Sequence, residues 1–203
     1  MRLKHSISFM LGLVFMGTTA IAQTTAHESH HTMDHDVMFA DGMTKHHRDG
    51  IKMAQMAVEK SQSADLRSMA RKMIDDQTRQ IDEMQRLRGD APMTPMAEMM
   101  KMPGMMPESK MQQDMARLES ASGQAFDVAF TEIMPKHHEG AIKMSKHELA
   151  HGDNSGLRAI AQEIADKQSR EREQLVAMHR DLSGGETQPM ASSSTERRRM
   201  TKD

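Results

Sequence analysis

The chain has 203 residues, a formal net charge of −2, no cysteine, tryptophan or tyrosine, but 25 methionines and 12 histidines. Near-neutral, interspersed charge without aromatic platforms leaves no case for nucleic acid or an anionic membrane as partner. The missing thiol excludes disulfide staples, cysteine nucleophiles and thiolate ligands, so any soft-metal chemistry must come from thioether and imidazole.

Residues 1–22 read as a secretory signal peptide: Arg2, Lys4 and His5 form a basic start, an apolar run extends from Ile7 to Met16, and Ala20-Ile21-Ala22 offers small residues for cleavage. The apolar run is too short to span a bilayer. The expected product is periplasmic, with no membrane span after cleavage. Residues 23–35 follow as a flexible, His-rich tail holding His27, His30, His31 and His35.

The first helix is predicted from about Asp36 to Lys60, with Phe39, Met43, Gly50, Met53, Ala54 and Ala57 on one face. The second opens after a Ser63 N-cap and runs to about Arg88, where Gly89 ends it. Residues 90–121 form a crossover in which Pro92, Pro95, Pro103, Gly104 and Pro107 prevent a continuous helix. It carries Met93, Met96, Met99, Met100, Met102, Met105 and Met106, then a short helical piece with Met111 and Met115. The third helix covers about Ser122 to Ala150 and stops at Gly152. The fourth starts after Asp153 or Asn154 and reaches about Leu182, before a tail, 183–203, expected to be disordered. Short turns make hairpins of residues 36–89 and 122–182, predicted to pack as an all-α four-helix bundle. No segment alternates with the period of a strand.

Shifting the sequence by 91 residues lays the first hairpin on the second without a gap. Phe39, Met43, Lys45, His46, His47, Ile51, Lys52 and Met53 fall on Phe130, Met134, Lys136, His137, His138, Ile142, Lys143 and Met144. Leu66, Arg67, Ala70, Asp75, Gln77 and Arg79 fall on Leu157, Arg158, Ala161, Asp166, Gln168 and Arg170, which indicates one supersecondary unit doubled.

The doubled residues include candidate metal ligands. His46 and His47 flank the Met43/Gly50 line on the inward half of their helix, and His137 and His138 flank Met134 and Ala141. Spacings of three and four residues let a thioether and an imidazole converge, and Met144, His147 and His151 extend the third helix's set. A lone helical histidine is ordinarily solvated or hydrogen-bonded; a doubled pair inside a doubled methionine frame is not explained that way. Pro135 frees a backbone carbonyl just before the second pair. Gln77 and Gln168 fall within apolar stripes and need a hydrogen-bonding neighbour, either a histidine of the partner helix, which they would orient, or backbone or water. The crossover methionines have no predicted element to bury them, so capture of Cu(I) or Ag(I) is one reading; a greasy strap or a flexible protein-binding surface are others. The N-terminal histidines suit Cu(II) better.

Phe130-x3-Met134-Pro-Lys-His137-His138-Glu-Gly-Ala-Ile142-Lys-Met144, followed by Asp166-x-Gln168, resembles the signature of the domain-of-unknown-function-305 family. The first hairpin, from Phe39 to Met53 with Asp76-Gln77, looks like the same pattern without the proline and the Gly-Ala pair. The resemblance covers residues 36–89 and 122–182. It implies an exported, ferritin-like helical bundle, and some Met- and His-rich members look like periplasmic copper-binding proteins of copper resistance. For this chain it implies metal roles for His46, His47, His137 and His138, with Met43, Met53, Met134 and Met144 as soft partners. The expected function is thus copper or silver sequestration or transfer, without enzymatic activity, with the metal ion and another periplasmic copper-handling protein as the expected partners. A di-metal carboxylate oxidase needs Glu-x-x-His on two helices. Within the four predicted helices one such pair exists, Glu148-Leu-Ala-His151, with Ala57 and Lys60 at the matching positions. A metal-free, chaperone-like scaffold is the remaining alternative.

Overall fold

The computed structural model describes residues 26–184, with side chains from His35 onward. The expected signal peptide and nearly all of the 183–203 tail lie outside the described residues, as do the side chains of His27, His30 and His31. Six helices follow in order: α1 (Ala26–Lys60), α2 (Ala64–Arg88), α3 (Met96–Met99), α4 (Glu108–Ser120), α5 (Gly123–His151) and α6 (Ser155–Gly184). The described residues contain no strand, and no helix among them is long and apolar enough to cross a membrane.

Helix ends follow local chemistry. Ser63 Oγ accepts from Leu66 N at 3.2 Å to start α2, and Asn154 Oδ1 accepts from Gly156 N at 2.9 Å to start α6. Pro95 and Pro107 stand immediately before α3 and α4, where a missing N–H does no harm. The start of α1 departs from the sequence reading. Residues 26–35, expected as part of a flexible tail, form its first turns; they contain no Gly or Pro to break a helix.

Helix α1 packs on α2, α5 packs on α6, and the two pairs meet chiefly along α1 and α5. Each pair is antiparallel: Asp41 of α1 holds Arg88 at the end of α2, and His47 meets Gln80 nearer the turn. Each pair also ties down the other's turn. Ser63 N donates to Asp127 Oδ2 at 3.3 Å, while Asp153 N and Asn154 N donate to Asp36 at 3.1 and 3.0 Å.

The core has two clusters along α1 and α5. One joins Met53, Ala54 and Ala57 to Phe126, Phe130, Ile133 and Met134; the other joins Phe39, Ala40 and Met43 to Ala141, Met144 and Leu157. The crossover is strapped on by Asp41, which accepts from Thr94 N at 2.8 Å, and by Lys60, whose Nζ donates to Glu119 O at 2.6 Å. Contrary to the premise drawn from the sequence, elements do exist to bury its side chains: Met99, Met102 and Met111 are buried.

Candidate metal centre

The four helical histidines sit between the two core clusters, where α1 and α5 face each other. His46, His47, His137 and His138 are all buried, the last three completely. His46 stacks on His137 with ring centroids 3.7 Å apart and planes at 29°. Gly50 makes this possible: a Cβ there would stand 3.0 Å from His137 Cε1 and 2.7 Å from Gln77 Oε1.

The outer rings are held in one tautomer each. His47 Nε2–H donates to Gln80 Oε1 at 2.9 Å, and the Gln80 amide in turn donates to Glu163 Oε1 at 3.1 Å, which fixes the amide's orientation. His138 Nε2–H donates to Glu171 Oε2 at 2.9 Å. In both rings the network assigns the proton to Nε2 and leaves Nδ1 as a bare lone pair. The two hydrogen bonds occupy positions 91 residues apart at both ends. These partners were missed in the sequence: Gln77 Oε1 and both amide atoms of Gln168 have no partner, and the orienting groups lie one turn further on. Gln80 and Glu171 share a face with Gln77 and Gln168, so continuing the polar line by one turn finds them.

Six imidazole nitrogens of this group are buried without a hydrogen-bond partner: both of His46, both of His137, and Nδ1 of His47 and His138. Burial drives His46, His47 and His137 to the neutral form, lowering the pKa of His46 to about 3, with the neighbouring His47 adding to the effect. His47 falls to about 4 by the same burial, partly opposed by its bond to Gln80, and burial holds His137 well below the usual range. Neutral imidazole is the form that ligates a metal.

Methionines bracket the rings. Met43 and Met144 lie in one flanking cluster, Met53 and Met134 in the other. From the crossover, Met102 and Met105 reach toward Gly42, where their Cε methyls and that of Met144 stand 3.1, 3.3 and 3.4 Å from the position a Cβ would take. Met106 packs against the first cluster, Met99 is buried, and Met93 and Met96 are exposed.

His147 and His151 come together not with Met144, which turns into the core, but with His35. His35 stacks on His147 at 4.6 Å, and the His147 and His151 centroids are 4.5 Å apart. Asp36 and Glu148 adjoin them. This second group was not assembled from the sequence, because its members lie more than a hundred residues apart.

The profile of the family described as a domain of unknown function (DUF305) matches residues 12–88 and, in an overlapping match, 36–179. No curated protein matches the sequence. Among solved structures, a DUF305 protein from Streptomyces coelicolor superposes with a TM-score of 0.65 at 20% identity, covering 73% of this chain and 94% of that one. The Cu(II)-bound form of CopM gives 0.61 at 29% identity over 72% of this chain and 96% of that one. Its Cu(I)-bound form gives 0.57 at 28% identity over the same shares. CopM in an Ag-bound form is similar at 0.58 and 27%, over 72% and 96%.

Proposed function

The chain belongs to the DUF305 family, and from that premise we propose that it is an exported, non-catalytic protein that binds copper or silver in the periplasm and sequesters or hands on the ion. The observation that carries this reading is the set of six partnerless, buried imidazole nitrogens between α1 and α5. Buried polar atoms without partners are rare in folded proteins and call for an explanation. A soft cation taking the one lone pair that each of the four rings can offer accounts for four of the six, and the flanking thioethers suit Cu(I) or Ag(I). The likeness to CopM in its Cu(II)-, Cu(I)- and Ag-bound forms supports the same reading.

In this reading α1–α2 and α5–α6 are two copies of one hairpin forming a four-helix bundle, with the rings of His46, His47, His137 and His138 as ligands. Met43, Met53, Met134 and Met144 are their soft partners. The exposed Met93 and Met96 begin a capture path that Met99, Met102, Met105 and Met106 continue inward. His27, His30 and His31 collect ions in the more oxidised state, and a second periplasmic copper-handling protein receives them.

Titration of the purified chain with Ag(I), or with Cu(I) under anaerobic conditions, should give more than one ion per molecule and raise the melting temperature by mass action. Replacing His137 and His138 together by alanine should abolish the tightest class while far-UV circular dichroism stays helical. No heat and no thermal shift with any of Cu(I), Ag(I) or Cu(II) would sink the proposal.

A further inference from the structure

We propose that His35, Asp36, His147, Glu148 and His151 form a second metal site, specific for a borderline divalent cation such as Cu(II) or Zn(II). It lies near the α5–α6 turn and is separate from the imidazole and thioether centre. It does not depend on the soft-metal reading.

One potential ligand atom from each of His35, Asp36 and Glu148 lies within 4.8 Å of the other two. His35 Nδ1 is 3.1 Å from Glu148 Oε2, and its Nε2 is 2.6 Å from His147 Nδ1. Glu148 is completely buried, yet its Oε1 has no hydrogen-bond partner. Gly152 keeps the room for this: a Cβ there would collide with Glu148 Oε1 and stand 2.7 Å from Asp36 Oδ1. Two carboxylates pressed together in a buried place repel each other unless a cation or a proton comes between them. His35 touches both Glu148 and His147, and the His151 ring lies 4.5 Å from that of His147, so imidazole donors gather beside these carboxylates and favour the cation.

The other end of the molecule provides an internal comparison. Subtracting or adding 91 residues carries His35, Asp36, His147, Glu148 and His151 onto Phe126, Asp127, Met56, Ala57 and Lys60. Asp127 performs there the task Asp36 performs here, holding the backbone of the opposite turn. That task therefore needs the aspartate alone. The remaining four positions need no ligand for the fold, since an apolar pair, an alanine and a lysine serve at the other end. At this end all four carry groups that ligate metals.

The donor set decides the ion. Carboxylate and imidazole without thioether suit Cu(II) or Zn(II) and not Cu(I) or Ag(I). Of the five residues, His35 lines a groove of about 540 Å³ together with Met38, Met93, Thr94 and Glu98.

The test is calorimetric titration of the purified chain with Zn(II), followed by Cu(II) with nitrogen hyperfine structure read by electron paramagnetic resonance. Wild type should bind Zn(II) with a class that E148Q/H147A weakens by about 100-fold, while Ag(I) binding is unchanged. H137A/H138A should behave in the opposite way. His151 is exposed, so H151A leaves the core intact; it should weaken Zn(II) and remove a nitrogen coupling from the Cu(II) spectrum even if the double variant fails to fold. The proposal is overturned if H151A and E148Q/H147A keep wild-type Zn(II) affinity, or if the Zn(II) class is lost only when His27, His30 and His31 are replaced.

Discussion

The proton of His47 stands on Nε2 because Gln80, turned by its own bond to Glu163, presents an oxygen there. Replacing Gln80 by leucine leaves that N–H buried and unpaired, a loss of about 1–3 kcal/mol in unfolding free energy. The ring also loses its orienter, which should weaken Ag(I) binding by about 10–100-fold. Glu171→Gln keeps an acceptor for His138 and should be far milder; chemical denaturation and competitive silver titration distinguish the two. That His46, His47, His137 and His138 face inward was legible in the sequence, because each pair flanks the apolar line of its helix, and all four are buried. Their orienters were not. Gln77 and Gln80 are both inward glutamines, and which one meets His47 depends on how far α2 slides along α1. That offset is set by the turn and by Asp41 against Arg88, which periodicity does not encode.

Among the elements, the long helices were readable from caps and stripes, whereas the crossover's course over α1 and α5 was not. Its path depends on contacts between distant residues, such as Asp41 with Thr94 and Lys45 with Glu108. One of these approaches is backbone to backbone. Gly104 has φ 99°, and a Cβ on it would run into the carbonyl oxygen of Gly140, one turn from His137. Gly140 is equally constrained, since a Cβ there would stand 3.0 Å from His46 Nε2. Gly104→Ala should therefore lift the strap locally, through both the unfavourable φ and the clash. Met102 and Met105 would leave Gly42, while the stacked rings stay in place. The expected outcome is a lower Ag(I) stoichiometry with the imidazole class retained, together with faster oxidation of Met102 by peroxide in peptide mapping. Unchanged stoichiometry and unchanged Met102 protection would show that the strap tolerates the methyl group.

At the scale of the whole molecule, the buried rings make stability depend on pH in a calculable direction. In the unfolded chain His46, His47 and His137 titrate near 6.5, whereas in the folded protein burial holds them at about 3, about 4 and well below the usual range. Between those values the unfolded state binds more protons, so stability is full above about pH 6.5 and falls as the solution is acidified. At about pH 5 His46 and His47 each account for a loss on the order of 2 kcal/mol, a large share of the stability of a domain this size, and His137 adds in the same direction. Other groups do not reverse the trend. Glu132, held at about 2 mainly by Arg117 and then by Lys136, keeps its contribution until the pH falls below the usual carboxylate range. Glu148 is raised by burial and works in the opposite sense, but it is one group against three. A bound cation occupies the lone pairs that protons would take, so Ag(I) should move the acid midpoint downward. Urea denaturation at pH 7 and pH 5, with and without Ag(I), measures both effects, and His46→Leu with His137→Leu should flatten the pH dependence. Equal stability of the metal-free protein at the two pH values would mean that the rings reach solvent protons freely, and that the space between α1 and α5 is not the closed, water-poor chamber a tightly held soft ion requires.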